Sequence, residues 1–201
     1  VELNADGSPK ESRIRAPQPF QHRVGHSNEE MAQALGLDPK QVVSVGGRST
    51  IVSVGIEFPV VRVSGLDALA ACDPQIDAFK RLGMNPASDG DAVGADDAFL
   101  VYAYCRAHPT RCPRFYRARM FDPLHGIAED PATGSAAGAL AGLLAEQEGL
   151  EGRGRYEIFQ GEEMLRPSRI VVDVTRDNGQ ILETQITGHC VEVIKGTFTL
   201  S

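Results

Sequence analysis

The feature that most constrains the fold is a helical segment without a polar face, residues 135–146, with the sequence SAAGALAGLLAE. Ala, Gly and Leu cover nearly every side of it, whereas a helix at a protein surface carries a polar stripe. Such a helix has to be enclosed by other elements, and its small side chains allow neighbouring backbone to approach closely. The segment therefore predicts a central helix surrounded by a curved sheet.

The rest of the chain supplies the strands of that sheet. A continuous apolar run at residues 98–105 predicts a strand buried on both faces, and residues 114–121 alternate as another strand. Asn178 and Gly179 predict a hairpin turn. Further strands are expected at residues 13–15, 41–45, 50–63 with a break at Pro59, 156–160, 169–175, 180–187 and 190–194. Many strands around one buried helix indicate the α+β class.

Shorter helices are expected in the first half of the chain. The sequence SNEE, which starts at Ser27, is a capping box, and Gly36 is suited to end the helix that follows it. Two more helical patterns cover residues 66–71 and 74–82. No repeat of fixed period and no low-complexity linker divides the chain.

Charge and composition argue against several functional classes. The chain has 20 Lys and Arg against 27 Asp and Glu, a formal net charge of −7, whereas a nucleic-acid binder needs a basic surface. The densest cationic stretch, residues 106–119, is interpreted as a solvated strand face. No apolar run reaches the roughly 18 residues of a membrane span, and no export signal opens the chain. We therefore expect a cytoplasmic protein that binds neither nucleic acid nor membrane.

The cysteines and histidines show no strong metal or disulfide pattern. The cysteines are Cys72, Cys105, Cys112 and Cys190, without CxxC spacing, so free thiols are the default expectation. Cys105 is expected to pack as a small hydrophobe, although a hairpin could pair it with Cys112. The one close histidine pair, His22 and His26, does not share a helix face. Nucleophile elbow, P-loop and dinucleotide-binding motifs are absent from the sequence, so hydrolase, NTPase and nicotinamide functions lack their usual support.

The segment that leads into the buried helix carries the candidate chemistry. Residues 121–137, FDPLHGIAEDPATGSAA, bring acids, glycines and hydroxyls to the helix N-terminus. Free backbone N–H groups there, near Gly134, Ser135 and Ala136, attract a carboxylate or phosphate together with the helix dipole. The competing interpretation is that Thr133 or Ser135 merely caps the helix.

Asp130 is the candidate catalytic residue of this segment. It lies five residues before Ser135, close enough to face the same pocket, and it suits a proton acceptor or a group that orients the substrate. Glu129 points the opposite way along an extended chain, so at least one of the two is expected to face solvent or the interior. His125 is a weaker candidate, because a lone loop histidine more often only forms a hydrogen bond.

Three segments carry recognisable motifs. Residues 121–136 contain FDP, GI and EDPATGSA in order, residues 160–168 read QGEEMLRPS, and residues 188–198 read GHCVEVIKGTF. Together they resemble the PhzF-like phenazine-biosynthesis isomerase and epimerase family, within the diaminopimelate-epimerase-like superfamily. The second segment is similar to a QGxxxGRPS pattern, with Leu165 where a glycine is usual.

The resemblance implies two similar lobes, each a barrel-like sheet around a central helix, with the active site between them. It implies an isomerase or epimerase that moves a proton at carbon on a small carboxylated substrate, without metal or organic cofactor. Asp130 would be the catalytic aspartate. The substrate-binding positions would be Thr133, Gly134, Ser135 and Ala136. Residues 122–145 contain no cysteine, so a two-thiol racemase mechanism is not expected.

The family pattern is not complete in this sequence. The resemblance implies that the N-terminal lobe supplies the principal acid/base, a glutamate in an NxSE-type segment, and a histidine in an AGHP-type segment. Neither segment occurs in the 201 residues. Residues 1–19 are expected to be the last strands of that lobe and residues 20–201 the C-terminal lobe, whose final strand returns towards the other lobe. We expect the missing lobe, in the same or a separate chain, as a partner, and a homodimer. The alternative function is a non-catalytic protein that binds small carboxylates.

Overall fold

The computed structural model describes residues 2–3, 9–84, 99–107, 114–189, 194 and 196–197. Its strands are β1 (Glu2–Leu3), β2 (Pro9–Arg15), β3 (Gln21–Ser27), β4 (Arg48–Ser53), β5 (Glu57–Arg62), β6 (Val101–Arg106), β7 (Phe115–Asp122), β8 (Ile127–Asp130), β9 (Gly152–Gln160), β10 (Ser168–Asp177) and β11 (Gln180–Gly188). Its α-helices are α1 (Asn28–Leu35), α2 (Leu66–Ala70), α3 (Ile76–Met84) and α4 (Gly134–Gln147). Three 3-10 turns cover Pro39–Gln41, Val45–Gly47 and Pro123–His125.

All the described strands belong to one mixed sheet. Their order is β1-β2-β11-β10-β9-β7-β6-β5-β4-β3, and β8 pairs with β7 outside this order. The neighbours β5 and β6 run parallel, as do β7 and β9, while the other pairs are antiparallel. Parallel neighbours need a long crossover. The segment with α2 and α3 joins the first pair, and the segment with α4 joins the second, so α4 lies across the sheet.

Helix α4 is the centre of the fold. Every residue from Ala136 to Ala145 is buried, and the helix extends by one residue at each end of the predicted 135–146. It contacts β4 and β5 in one part of the sheet and β9, β10 and β11 in another, so the sheet curls around it. The predicted α+β class and the barrel-like sheet around a buried helix are confirmed.

A stripe of glycines lets the sheet approach α4. A Cβ atom at Gly142 would lie 2.6 Å from Cδ2 of Phe20, and one at Gly138 would lie 3.0 Å from Cδ1 of Ile186. A Cβ contact of 2.6 Å is almost never seen and one of 3.0 Å is unusually tight, so a larger residue at either position would force Phe20 or Ile186 to move. The small residues therefore have the role that the sequence predicted for them.

A second layer of helices covers the opposite face of the sheet. Helices α1, α2 and α3 contribute to a separate apolar cluster that includes Met31, Leu35, Leu69 and Phe79. Strand β6 lies between the two layers and is buried at five successive positions, residues 101–105. The prediction of a strand buried on both faces is confirmed, because helices cover both sides of it.

Several local predictions are confirmed. Ser27 accepts a hydrogen bond from the backbone N–H of Glu30, whose side chain accepts one from the Ser27 N–H, and Gly36 ends α1 with φ 67°. Asn178 and Gly179 have φ values of 49° and 82° between β10 and β11, as a tight hairpin requires.

Two strand predictions are wrong. Residues 41–45 form no strand, because Asp38 caps the 3-10 turn Pro39–Gln41 and only Val42 makes a bridge, to Val63. Pro59 does not break its strand: it lies within β5 opposite Ile51, and the chain turns before β5 instead. Proline is tolerated there because the pairing with β6 begins only at the next residue.

Some expectations concern residues that the structure does not describe. The strand expected at residues 190–194 belongs here, apart from Ile194. In the part of the chain that is described, no helix combines the length and the apolar character needed to cross a membrane.

Candidate active site

Asp130 reaches the α4 side of the sheet through a short hairpin. Strand β7 turns at Pro123–His125 into β8, and Asp130 pairs with Met120 across the antiparallel ladder. Residues directly opposite each other point to the same face, and Met120 belongs to the core cluster that surrounds α4. Asp130 is therefore half-buried at the edge of that core. Strand β8 itself was not predicted from the sequence.

The Asp130 carboxylate is held by Thr133 and, through it, by Gln160. The Thr133 hydroxyl donates to Oδ2 of Asp130 over 2.6 Å. Gln160 Nε2 donates to the Thr133 hydroxyl oxygen over 2.9 Å and to the carbonyl oxygen of Asp130 over 2.6 Å. The side chain of Gln160 is fully buried at the end of β9. Thr133 and Gln160, 27 residues apart in sequence, thus fix one carboxylate.

The N-terminus of α4 is not capped by a side chain. Thr133 occupies the N-cap position, but its hydroxyl is directed to Asp130 and makes no capping bond, and Ser135 lies inside the first turn. The interpretation that either residue merely caps the helix is therefore not supported. No described residue accepts a hydrogen bond from the backbone N–H groups of Gly134, Ser135 or Ala136. These donors begin four residues after Asp130, so the segment offers a carboxylate and free N–H groups together.

Glu129 has a structural role on the other face of β8. Its carboxylate accepts two hydrogen bonds from Arg119, of 2.9 and 2.7 Å. Nη1 of Arg119 also donates to the carbonyl oxygens of Leu69 and Cys72, each over 3.0 Å. The expectation that one of the two acids faces structure is confirmed for Glu129, and the pair anchors β8 to the end of α2.

The cationic stretch is not the solvated face that the sequence suggested. Arg119 is buried by these contacts, and the Arg117 side chain is only 15% exposed. Arg117 forms ion pairs of 2.6 Å with Glu162 and 2.8 Å with Glu163. The prediction is wrong for these two residues because carboxylates and, for Arg119, backbone carbonyls replace water around their guanidinium groups.

The turn after β9 packs against the loop that follows Asp130. Ser168 Oγ donates to the carbonyl oxygen of Pro131 over 2.8 Å. Gly161 has φ 80°, and a Cβ there would lie 2.8 Å from the same oxygen. The QGEEMLRPS segment therefore supports the EDPATG segment through Gln160, Gly161 and Ser168.

No role was predicted from the sequence for Gln160 or for its partner Tyr102. Tyr102 donates from its hydroxyl to Oε1 of Gln160 over 3.0 Å, and both side chains are fully buried. One signal was available, because Tyr156, Ile158 and Gln160 occupy the alternating inward positions of β9. An amide at an inward position has to find hydrogen-bond partners.

His125 is not brought to Asp130. Its Nδ1 lies 3.0 Å from Oδ1 of Asp122, and its side chain is half-exposed. Asp122 pairs with Ile127 at the far end of β8. Asp130 lies three positions after Ile127 along the strand, a distance of about 10 Å. His125 therefore belongs to a separate polar pair.

The described cysteines behave as buried hydrophobes. Cys72 and Cys105 are free, and burial raises their pKa values to about 12 and about 11. The expectation for Cys105 is confirmed, while Cys112 and Cys190 lie outside the described residues. Among the side chains that are described, no group of three or more His, Cys, Asp or Glu residues could hold a metal ion.

Known proteins share this sequence pattern. The PhzC-PhzF family model, described as phenazine biosynthesis-like protein, matches residues 1–196. The chain is 31% identical over 183 residues to an uncharacterized isomerase of Mesorhizobium japonicum, and the aligned region covers 90% of this chain and 57% of that protein. It is also 40% identical over 87 residues to trans-2,3-dihydro-3-hydroxyanthranilate isomerase of Pseudomonas chlororaphis. That aligned region covers 43% of this chain and 31% of that enzyme.

A solved structure shares the fold. The crystal structure of a PhzF family phenazine biosynthesis protein from Bacillus anthracis superposes with a TM-score of 0.74 at 22% sequence identity, over 95% of this chain and 61% of that one. This chain thus spans about three-fifths of the length of that protein and of the Mesorhizobium relative. The chain belongs to the PhzC-PhzF family of phenazine biosynthesis-like proteins.

Proposed function

We propose that the protein containing this chain is a cofactor-independent isomerase that moves a proton between carbon atoms of a small carboxylated metabolite. One observation carries the proposal. The Asp130 carboxylate, fixed by Thr133, lies in the same short segment as the free N–H groups at the start of α4. A proton-accepting group and a site for a negatively charged group are thereby combined, as such an isomerisation requires.

The proposed reaction is an isomerisation, so substrate and product have the same atomic composition. Asp130 takes a proton from a carbon atom of the substrate, the electron pair of that C–H bond shifts the double bond, and a proton is returned at a second carbon. If the shifted electrons delocalise towards the substrate carboxylate, negative charge grows there. The N–H groups of Gly134, Ser135 and Ala136 would bind that carboxylate, and the α4 dipole would stabilise the added charge.

The relatives support a substrate class. Matching enzymes of Pseudomonas chlororaphis and Pseudomonas fluorescens are named trans-2,3-dihydro-3-hydroxyanthranilate isomerases. We take a cyclic amino carboxylate of this kind as the proposed substrate. The alternative, carboxylate binding without chemistry, is favoured by no observation in the structure, and the named relatives are isomerases.

The remaining parts of the site are also proposals. We assign residues 1–19 to the end of an N-terminal lobe and the rest of the chain to a C-terminal lobe, with the substrate between two lobes and the protein a homodimer in the cytoplasm. The chain spans 57% of the length of its Mesorhizobium relative, which supports a second lobe that completes the site.

The test removes one N–H group without disturbing the helix. Proline is well tolerated at the first helical position, where the N–H has no helical acceptor. Gly134→Pro should therefore weaken the binding of anthranilate, used as a carboxylate probe in calorimetry, by about tenfold, the value of one charge-assisted hydrogen bond. Gly134→Ala is the matched control, because it keeps the N–H and its Cβ would lie an ordinary 3.4 Å from Ile186.

In a second experiment, the wild-type protein is supplied with trans-2,3-dihydro-3-hydroxyanthranilate in deuterated water. The proposal predicts a product that carries one solvent deuterium on carbon, detected by mass spectrometry. Binding of anthranilate without any exchange would support the non-catalytic alternative. Equal anthranilate affinity in the Pro and Ala variants would remove the α4 N-terminus from the site.

A further inference from the structure

We propose that Tyr102, Gln160 and Thr133 form a one-directional hydrogen-bond relay that holds Asp130 as a proton acceptor and presents its Oδ1 atom to the substrate. The inference rests on the proposed function and assigns positioning roles to three residues that do not themselves react. The direction of each hydrogen bond in the relay follows from the groups that contact the Gln160 amide.

The orientation of the Gln160 amide is fixed by two groups that can act in only one way. The backbone N–H of Thr133 can only donate, and it lies 3.2 Å from Oε1. The carbonyl oxygen of Asp130 can only accept, and it lies 2.6 Å from Nε2. Exchanging the nitrogen and oxygen of the amide would place two donors together and two acceptors together. Nε2 therefore faces Asp130 and Thr133.

This orientation determines where the Thr133 proton lies. The hydroxyl oxygen accepts from Gln160 Nε2, so its single proton is left for another partner. The partner in the structure is Oδ2 of Asp130, at 2.6 Å, a length typical of a hydrogen bond from a hydroxyl to a carboxylate. Thr133 thus donates its single hydroxyl proton to Oδ2 of Asp130.

Tyr102 begins the relay. Its hydroxyl donates to Gln160 Oε1, which already accepts from the Thr133 N–H, so both acceptor positions of that oxygen are used. Burial, with a smaller contribution from the charge of Asp130, raises the pKa of Tyr102, which keeps the hydroxyl a donor. Because Tyr102 and Gln160 are fully buried, no water competes for these bonds.

The consequence for Asp130 is an asymmetric carboxylate. Oδ2 is occupied by the Thr133 hydroxyl, while no described residue donates to Oδ1. Oδ1 is therefore the oxygen available to a substrate C–H bond. When a reacting group is already held in place before the substrate binds, the activation barrier does not include the entropy cost of ordering that group.

The test compares Thr133→Val with Thr133→Ser in the whole protein, with trans-2,3-dihydro-3-hydroxyanthranilate as substrate. Valine has the shape of threonine but no hydroxyl, whereas serine keeps the hydroxyl. The relay predicts that Thr133→Val lowers kcat at least tenfold with KM changed less than threefold, and that Thr133→Ser keeps kcat within threefold of the wild type. Unchanged kcat in Thr133→Val overturns the proposal. If the valine variant does not fold, Thr133→Ala is measured with the same prediction.

A second measurement is independent of turnover. In the ¹H–¹⁵N NMR spectrum of the whole protein, the two Gln160 Nε2 protons should exchange slowly with water, because both are buried and bonded. In Thr133→Val one of them should shift upfield, whereas Thr133→Ser should leave both in place. Rapid exchange of these protons overturns the relay whatever the activity. Slow exchange in a protein that shows no turnover would leave the relay standing and contradict the proposed function instead.

Discussion

Leu165 holds a backbone conformation that favours glycine. Its φ is 57°, and its side chain is 90% exposed, so the side chain gains little packing in return. The left-handed conformation costs about 1–2 kcal/mol for a residue with a Cβ, which exceeds the roughly 0.5–1 kcal/mol of extra chain entropy that glycine loses on folding. We therefore predict that Leu165→Gly raises the free energy of unfolding by about 0.5–1 kcal/mol.

Urea denaturation monitored by circular dichroism would check this. Asn178→Gly is the matched control, because Asn178 also has a positive φ of 49°, but asparagine tolerates that region better than leucine. A gain for Asn178→Gly equal to or larger than that for Leu165→Gly would contradict the explanation by strain.

Some residues of the candidate site could be predicted from the sequence and others could not. Asp130 and residues 133–136 stand next to one another along the chain, so their proximity followed from the order of residues alone. Gln160 lies 27 residues after Thr133, and Tyr102 lies 58 residues before Gln160. Only the pairing of β7 with β9 and of β6 with β7 brings these side chains together, and pairing partners are not encoded locally.

At the level of elements, the packing of α4 depends on its glycines. Gly142 faces Phe20, and a Cβ at position 142 would lie 2.6 Å from the ring. Gly142→Val should therefore lower the free energy of unfolding by about 2 kcal/mol through overpacking. The double variant Gly142→Val/Phe20→Ala should lose less than the sum of the two single variants, because the smaller side chain makes room. Additive losses in thermal or urea unfolding would show that this contact is not the cause.

The long elements were predictable and the short ones were not. Helix α4 and strand β6 are marked by long apolar runs, and strands β10 and β11 flank a clear hairpin signal, and the structure has each of them close to its predicted place. Strand β8 has only four residues and is defined by its pairing with β7, so its own sequence carries no sufficient pattern. Residues 41–45 show the converse case, since their β-forming composition was outweighed by the capped turn before them.

At the scale of the whole molecule, the two core layers position the candidate site. The sheet lies between α4 on one face and α1, α2 and α3 on the other. Strand β8 is tied to both layers, because Glu129 reaches Arg119 beside α2 while Asp130 faces the side of α4. The alternation of a single strand thus separates a structural carboxylate from a candidate catalytic one.

The proposed function requires Asp130 to exchange a proton with a carbon atom of the substrate, and this exchange can be measured. Solvent-deuterium incorporation into trans-2,3-dihydro-3-hydroxyanthranilate is compared between the wild-type protein, Asp130→Asn and Asp122→Asn. The control makes the same change on the neighbouring strand, where Asp122 contacts His125. We predict that Asp130→Asn lowers the rate at least about a hundredfold, as the loss of a general base does, and that Asp122→Asn keeps it within about fivefold. Near-wild-type incorporation by Asp130→Asn would contradict the role of Asp130 as the proton acceptor.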